Sequence, residues 1–196
     1  MLSNDLLSEE EWERIYRFKG YGNPRGDFWF VGIEEYGDEN GKSLRLKATL
    51  NEIEGLAKVH DQLKFPMTTL IPTWHTMSKI ILLINGHQDW NDTETCRKYQ
   101  SQQLGRLDGE TFLTDLLPIP KRGDGQWPDW MPFHSWQEYA NRLLPRRVGM
   151  LKELFEVGQP RFVFCYGKGY WICYKQIFPT QTLYRPVCQN KWRLLG

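Results

Sequence analysis

The sequence predicts an α/β domain in three layers, α/β/α, with helices on both faces of a central, mainly parallel sheet of about four strands. Three observations carry this. The runs Phe28–Ile33 and Arg161–Tyr166 are continuously apolar or nearly so, as in strands covered on both faces. A third run, Thr111–Leu117, reads the same way. Segments with helical spacing separate the three, which is the alternation that parallel strands need for their crossovers.

Each element follows from local chemistry. Ser8 and Glu11 are spaced as a capping box, and Trp12, Ile15 and Tyr16 share one helical face, with Gly20 as the stop. The turn Gly22–Gly26 leads into the first strand, which ends abruptly at Glu34 and Glu35. A helix is predicted near Leu44–Val59, with Leu46, Leu50, Ile53 and Ala57 on one face. Pro66 and Pro72 interrupt the chain. Thr73 is the expected cap of the next helix, which turns Met77, Ile80, Ile81 and Ile84 inward and ends at Gly86. A polar helix is expected over Thr93–Leu104. After the second strand, Pro118 and Pro120 open an irregular loop from Lys121 to His134. Ser135 and Glu138 make a second capping box, and Pro145 is expected to kink or restart a helix that stops at Gly158. Tyr170, Cys173, Tyr174 and Ile177 again have helical spacing, and Thr182–Val187 is read as a fourth strand.

Size and composition limit the possibilities. The 196 residues suit one domain spanning 1–196, and 40% hydrophobic with 14% aromatic residues suffices for a core. A net charge of +1 favours neither nucleic acid nor membrane, so any nucleic-acid contact must come from a local patch. No apolar run approaches the roughly 18–20 residues of a membrane helix. The acidic N-terminal segment lacks a signal-peptide core, so the expected location is cytoplasmic. The four cysteines, Cys96, Cys165, Cys173 and Cys188, form no C-x-x-C pair, and the four histidines have no ligand spacing. Neither a metal nor a cofactor is expected. G-x-S-x-G, P-loop and G-x-G-x-x-G motifs are absent.

Ligands of open α/β sheets bind beyond the carboxyl ends of the strands, which selects three loops. In the first, Glu34 or Glu35 at a strand end can orient or deprotonate water; the plainer account is a pair of solvated charges. In the second, Asp115 sits in an apolar strand and needs a partner, and a structural hydrogen bond is the alternative to a binding role. In the third, Gly167-Lys168-Gly169 can bring backbone N–H groups to a phosphate, or simply turn. Lys121, Arg122, Trp127 and Trp130 interleave basic and aromatic groups, as suits base stacking with phosphate contact. Packing of the tryptophans onto the body is the alternative.

Taken in succession, these segments resemble the uracil-DNA glycosylase-like superfamily. Phe30-Val31-Gly32-Ile33-Glu34-Glu35-Tyr36-Gly37, with Asn23-Pro24 upstream, is similar to the family's water-activating motif. Thr111–Pro118 resembles the second strand, whose end reads the flipped base, and Pro160–Gly167 resembles the third strand and its glycine. The resemblance implies that Glu34 activates water, that Asp115 contacts the base edge, and that Gly32, Glu35, Tyr36, Gly167 and Lys168 line the substrate site. It implies DNA as partner and hydrolysis of the N-glycosidic bond of a damaged base. Two departures stand out: nothing matches the family's late His-Pro-Ser motif, since Pro186 follows Arg185, and the cysteine cluster of its iron–sulfur branches is missing. A non-catalytic nucleic-acid or nucleotide-binding protein, or another small-molecule enzyme on the same scaffold, is therefore the competing expectation.

Overall fold

The structure is a computed structural model that describes residues 7–37, 41–121, 131–178, 183–187 and 191–195. Its centre is a five-stranded mixed sheet, mostly parallel, in the order β3-β1-β4-β2-β5. The strands are β1 (Gly20–Gly22), β2 (Phe28–Gly32), β3 (Ile53–Glu54), β4 (Thr111–Asp115) and β5 (Phe162–Cys165). The three strands read from the sequence are the parallel trio β4-β2-β5. The sequence reading missed β1 and β3. They pair in parallel with each other, while β1 runs antiparallel to β4.

Helices cover both faces of the sheet, an arrangement compatible with three layers. On one face Phe28, Phe30 and Leu113 pack with residues of α3 (Leu56–Leu63), α4 (Pro72–Ile84) and α5 (Thr93–Gln102). On the other, Trp29, Val31 and Phe112 pack against α6 (Trp136–Gly158) and α7 (Trp171–Ile177). All five residues of β2 are buried, as their unbroken apolar run requires. A third cluster closes one end of the sheet. There Ile15 of α1 (Glu9–Arg17) and Leu44 of α2 (Lys42–Lys47) meet Leu117, Ile119, Tyr139 and Leu143.

Several boundaries differ from the sequence reading. The helix expected over Leu44–Val59 is split: α2 ends at Lys47, Ile53–Glu54 is a strand, and α3 begins at Leu56. The apolar positions matched a helix, but pairing of Ile53 with Gly20 gives this stretch a backbone partner. The cap of α4 is Ile71, two residues before the expected Thr73, and Pro72 sits in the first turn, where a missing N–H costs nothing. Ile84, expected inside, is 38% exposed. α6 is continuous through Pro145. α1 is capped by Phe18, and Gly20 opens a strand instead of stopping the helix. The segment read as a fourth strand, now β6 (Leu183–Val187), pairs among the described residues with β7 (Lys191–Leu195) in a separate antiparallel ladder. The Ser8–Glu11 capping box is complete; at α6 Ser135 accepts from the Glu138 N–H, but the Glu138 carboxylate accepts from the His134 N–H in place of the cap's own N–H.

Candidate functional site

The site begins as a row of three residues at the carboxyl ends of the parallel trio. Gly32 lies opposite Asp115 in register, and Val31 opposite Cys165, so Tyr166 follows beside Gly32. Residues in register share a face of the sheet. A Cβ on Gly32 would sit 2.1 Å from Asp115 Oδ1 and 2.8 Å from the Tyr166 hydroxyl. The missing side chain is what lets a carboxylate and a phenol converge over the central strand.

Beyond the row, the chain segments leaving β2 and β4 run together. The Leu116 N–H donates to Gly32 O at 3.1 Å, Leu117 to Ile33 O at 2.7 Å and Lys121 to Glu35 O at 3.0 Å; Gly37 donates to Lys121 O at 3.1 Å. This ladder fixes the backbone beneath Glu34 and Glu35. Glu35 accepts from Lys47 Nζ at 2.8 Å, and that lysine is only 3% exposed. Lys47 also lies 4.6 Å above the Phe18 ring, a cation–π contact. By contrast, Glu34 Oε2 is buried with no hydrogen-bond partner.

Burial dominates the electrostatics. It pushes the Asp115 carboxyl up to about 7, helped by the negative charges of Glu35 and Glu34 and opposed by Lys47 and Arg147. Glu34 is raised for the same reason, with Lys121 pulling the other way. Tyr21 and Tyr166 are held well above the ordinary phenol range by burial, then by Glu35 and Asp115 respectively. Arg147 enters from α6 on the far face. Desolvation lowers it to about 10, against the pull of Asp115, Tyr139 and Glu35. Its guanidinium donates to the carbonyls of Phe18 and Asp115.

Above this floor opens a cavity of about 780 Å³, a size usual for small-molecule sites. Glu34, Glu35, Tyr36 and Asp115 line it, together with apolar wall residues that include Leu46, Val59 and Leu63. His60 stands in the wall between two aromatic rings, 4.6 Å from Trp74 and 5.7 Å from Phe65. Burial lowers its basicity, so the imidazole is neutral near pH 7.

The predicted residues therefore divide. Glu34, Glu35, Tyr36 and Asp115 converge on one cavity, with Gly32 as its floor; Tyr36 is 76% exposed at the rim. Gly167 instead packs on the Ile33 side chain and does not line the cavity, and Lys168 opens a short 3-10 turn. Lys121 is buried and forms a backbone bridge with Tyr36. Arg122, Trp127 and Trp130 lie outside the described residues. Sequence reasoning missed Tyr21, Lys47, His60, Arg147 and Tyr166. Only Tyr166 had a signal, its position directly after an apolar run that ends beside the site.

Among the described residues, no group of His, Cys, Asp or Glu is arranged to hold a metal ion, and no helix is long and apolar enough to cross a membrane. Comparison with known families, with curated proteins and with solved structures found no match to this chain.

Proposed function

We propose that the cavity receives a damaged base flipped out of DNA and that the protein hydrolyses its N-glycosidic bond. The observation that carries this reading is the pair of unspent carboxylates at the strand ends. Glu35 is committed to Lys47, while Glu34 keeps a buried oxygen without a partner and Asp115 titrates near neutrality. In this reading Glu34 takes a proton from the attacking water, a role that suits a carboxylate of raised pKa. Asp115 meets the edge of the base, and Tyr36 at the rim stacks on it or on its neighbour. The uracil-DNA glycosylase-like resemblance supports the same roles. Arg122, Trp127 and Trp130 would hold the strand outside the cavity.

The experiment is base release from oligonucleotides containing uracil or hypoxanthine, read as abasic-site formation. Glu34→Gln should lower turnover by about 100-fold or more and leave binding within a few-fold. If excess wild-type protein with an intact fold releases nothing from a panel of modified bases, catalysis is removed from the proposal. The second reading, binding of a base or nucleotide without chemistry, is favoured by His60. The histidine in the wall is uncharged near neutral pH and offers no positive charge to a base leaving as an anion.

A further inference from the structure

The lining of the cavity is asymmetric in what it leaves unsatisfied. Its two lysines are committed: Lys47 to Glu35 at 2.8 Å, and Lys42 to the Leu63 carbonyl at 3.2 Å. Arg147 reaches the floor from the opposite face, where its terminal amino groups donate to the carbonyls of Phe18 and Asp115 and its Nε is buried without a partner. Two carboxylates remain, together with the neutral His60, whose Nδ1 is also buried without a partner. Glu34 Oε2 is buried and unpartnered, and no side chain among the described residues donates a hydrogen bond to the Asp115 carboxyl. The lining also includes the aromatic side chains of Trp74, Phe65 and Tyr166.

Among the described lining residues a phosphate has no uncommitted lysine to meet, and a base departing as an anion would gather charge beside Glu34 and Asp115. A positively charged ring reverses both penalties. Its charge is complementary to the carboxylates, and aromatic walls favour a cation stacked against them. We propose that the cavity selects an N-glycosylated heteroaromatic ring that carries a positive charge, such as an N-alkylated base in DNA, over neutral and phosphate-bearing ligands. The selection is a binding property. It rests on the hydrolytic reading only for the step that follows. In that step the water oxygen bonds to the anomeric carbon, its proton passes to Glu34, and the carbon–nitrogen bond breaks. The electron pair of that bond stays on the ring and cancels its positive charge, so the base leaves neutral.

Asp115 sets the pH dependence. The charged groups facing it are Glu34 and Glu35 from the β2 loop, Lys47 from α2 and Arg147 from α6. The phenols of Tyr166 and Tyr174 adjoin it and stay protonated, as does that of Tyr21. Binding of a cation therefore strengthens as Asp115 loses its proton, whose carboxyl titrates at about 7.

The test titrates the intact protein with nicotinamide riboside, a permanently cationic nucleoside. Its neutral dihydro form of nearly the same shape and its 5′-phosphate are the comparisons. A second arm compares an oligonucleotide bearing one 1-methyladenine with its unmodified counterpart. The cationic riboside should bind about tenfold or more tighter than either comparison at about pH 8. That advantage should shrink towards about pH 6 as Asp115 protonates, and it should be lost in Asp115→Asn with an unchanged circular dichroism spectrum. The same preference in the oligonucleotide arm assigns the cation to DNA; preference for the riboside alone assigns it to a free nucleoside. Equal or weaker binding of the cation in both arms, or no binding in either, overturns the inference. Base release is scored separately. A cation preference without release leaves this inference standing and removes the hydrolytic reading, whereas release of uracil without any cation preference does the reverse.

Discussion

Asp115 carries a cost at neutral pH that its neighbours only partly offset. Its folded pKa of about 7 lies above the ordinary carboxylate value, so between about pH 4 and pH 7 the folded state holds a proton that the unfolded chain has released. This contribution to stability is fully present below the ordinary value and is lost as pH rises through about 7. Asp115→Asn removes the charge and keeps the shape. The variant should match wild type near pH 4 and exceed it by ~4 kcal/mol at about pH 8, read from urea midpoints at the two pH values. A wild type equally stable at both, with no gain in the variant, would contradict the assigned environment. Asp115 was legible because a carboxylate in an apolar strand demands an explanation. Glu34 was legible because a charge interrupts a buried run. Lys47 was not, because a lysine in a short amphipathic helix looks like any solvated one, and only the fold brings its ammonium to Glu35. Gly32 was legible as part of a motif but not for its physical reason, which is the space that Asp115 Oδ1 and the Tyr166 hydroxyl occupy above it.

At the scale of elements, α6 joins the sheet to the end cluster. Tyr139 and Leu143 pack in the cluster that caps the sheet, and Leu151 packs against Trp29 and Phe112 beneath it. Arg147 lies between, 2% exposed, and satisfies carbonyls at the entry to β1 and the exit of β4. Arg147→Met keeps much of the volume and strands those carbonyls, with an expected loss of ~2 kcal/mol in urea unfolding. It also removes a positive charge beside Asp115, so the Asp115 titration followed by NMR should move above its wild-type value. A midpoint within error of wild type and an unmoved titration would refute the bridging role. The long apolar strands and the capped helices were readable because periodicity and capping are local. β1 and β3 were not. Gly-Tyr-Gly and Ile-Glu carry no strand signal, and they are strands because tertiary pairing supplies it. Gly22 shows the constraint: its φ is +94°, and a Cβ there would meet Thr111 O at 2.3 Å.

Across the whole molecule, stability should fall off outward from β2. This strand has partners on both edges and helices over both faces, and each of its residues is buried. β4 is similarly flanked by β1 and β2. β5 is an edge strand whose four residues are half-buried, and the β1–β3 arm pairs over only two positions. Backbone amides whose hydrogen bonds break only on global unfolding exchange slowest, while thin edges open locally. Native-state hydrogen exchange should therefore find its greatest protection at Trp29–Val31 and Phe112–Thr114, with β3 exchanging by smaller openings. The cavity lies on the weaker side of this gradient. Its wall is built from α2, α3 and the start of α4, while Asp115 and Glu34 extend from the rigid centre. A ligand that bridges floor and wall must hold the two together. Saturation with a bound ring should slow exchange in α3 by about tenfold or more at 100 times the dissociation constant and leave β2 unchanged below its global limit. Protection gained uniformly across the chain would instead mean that the wall and the sheet open as one unit.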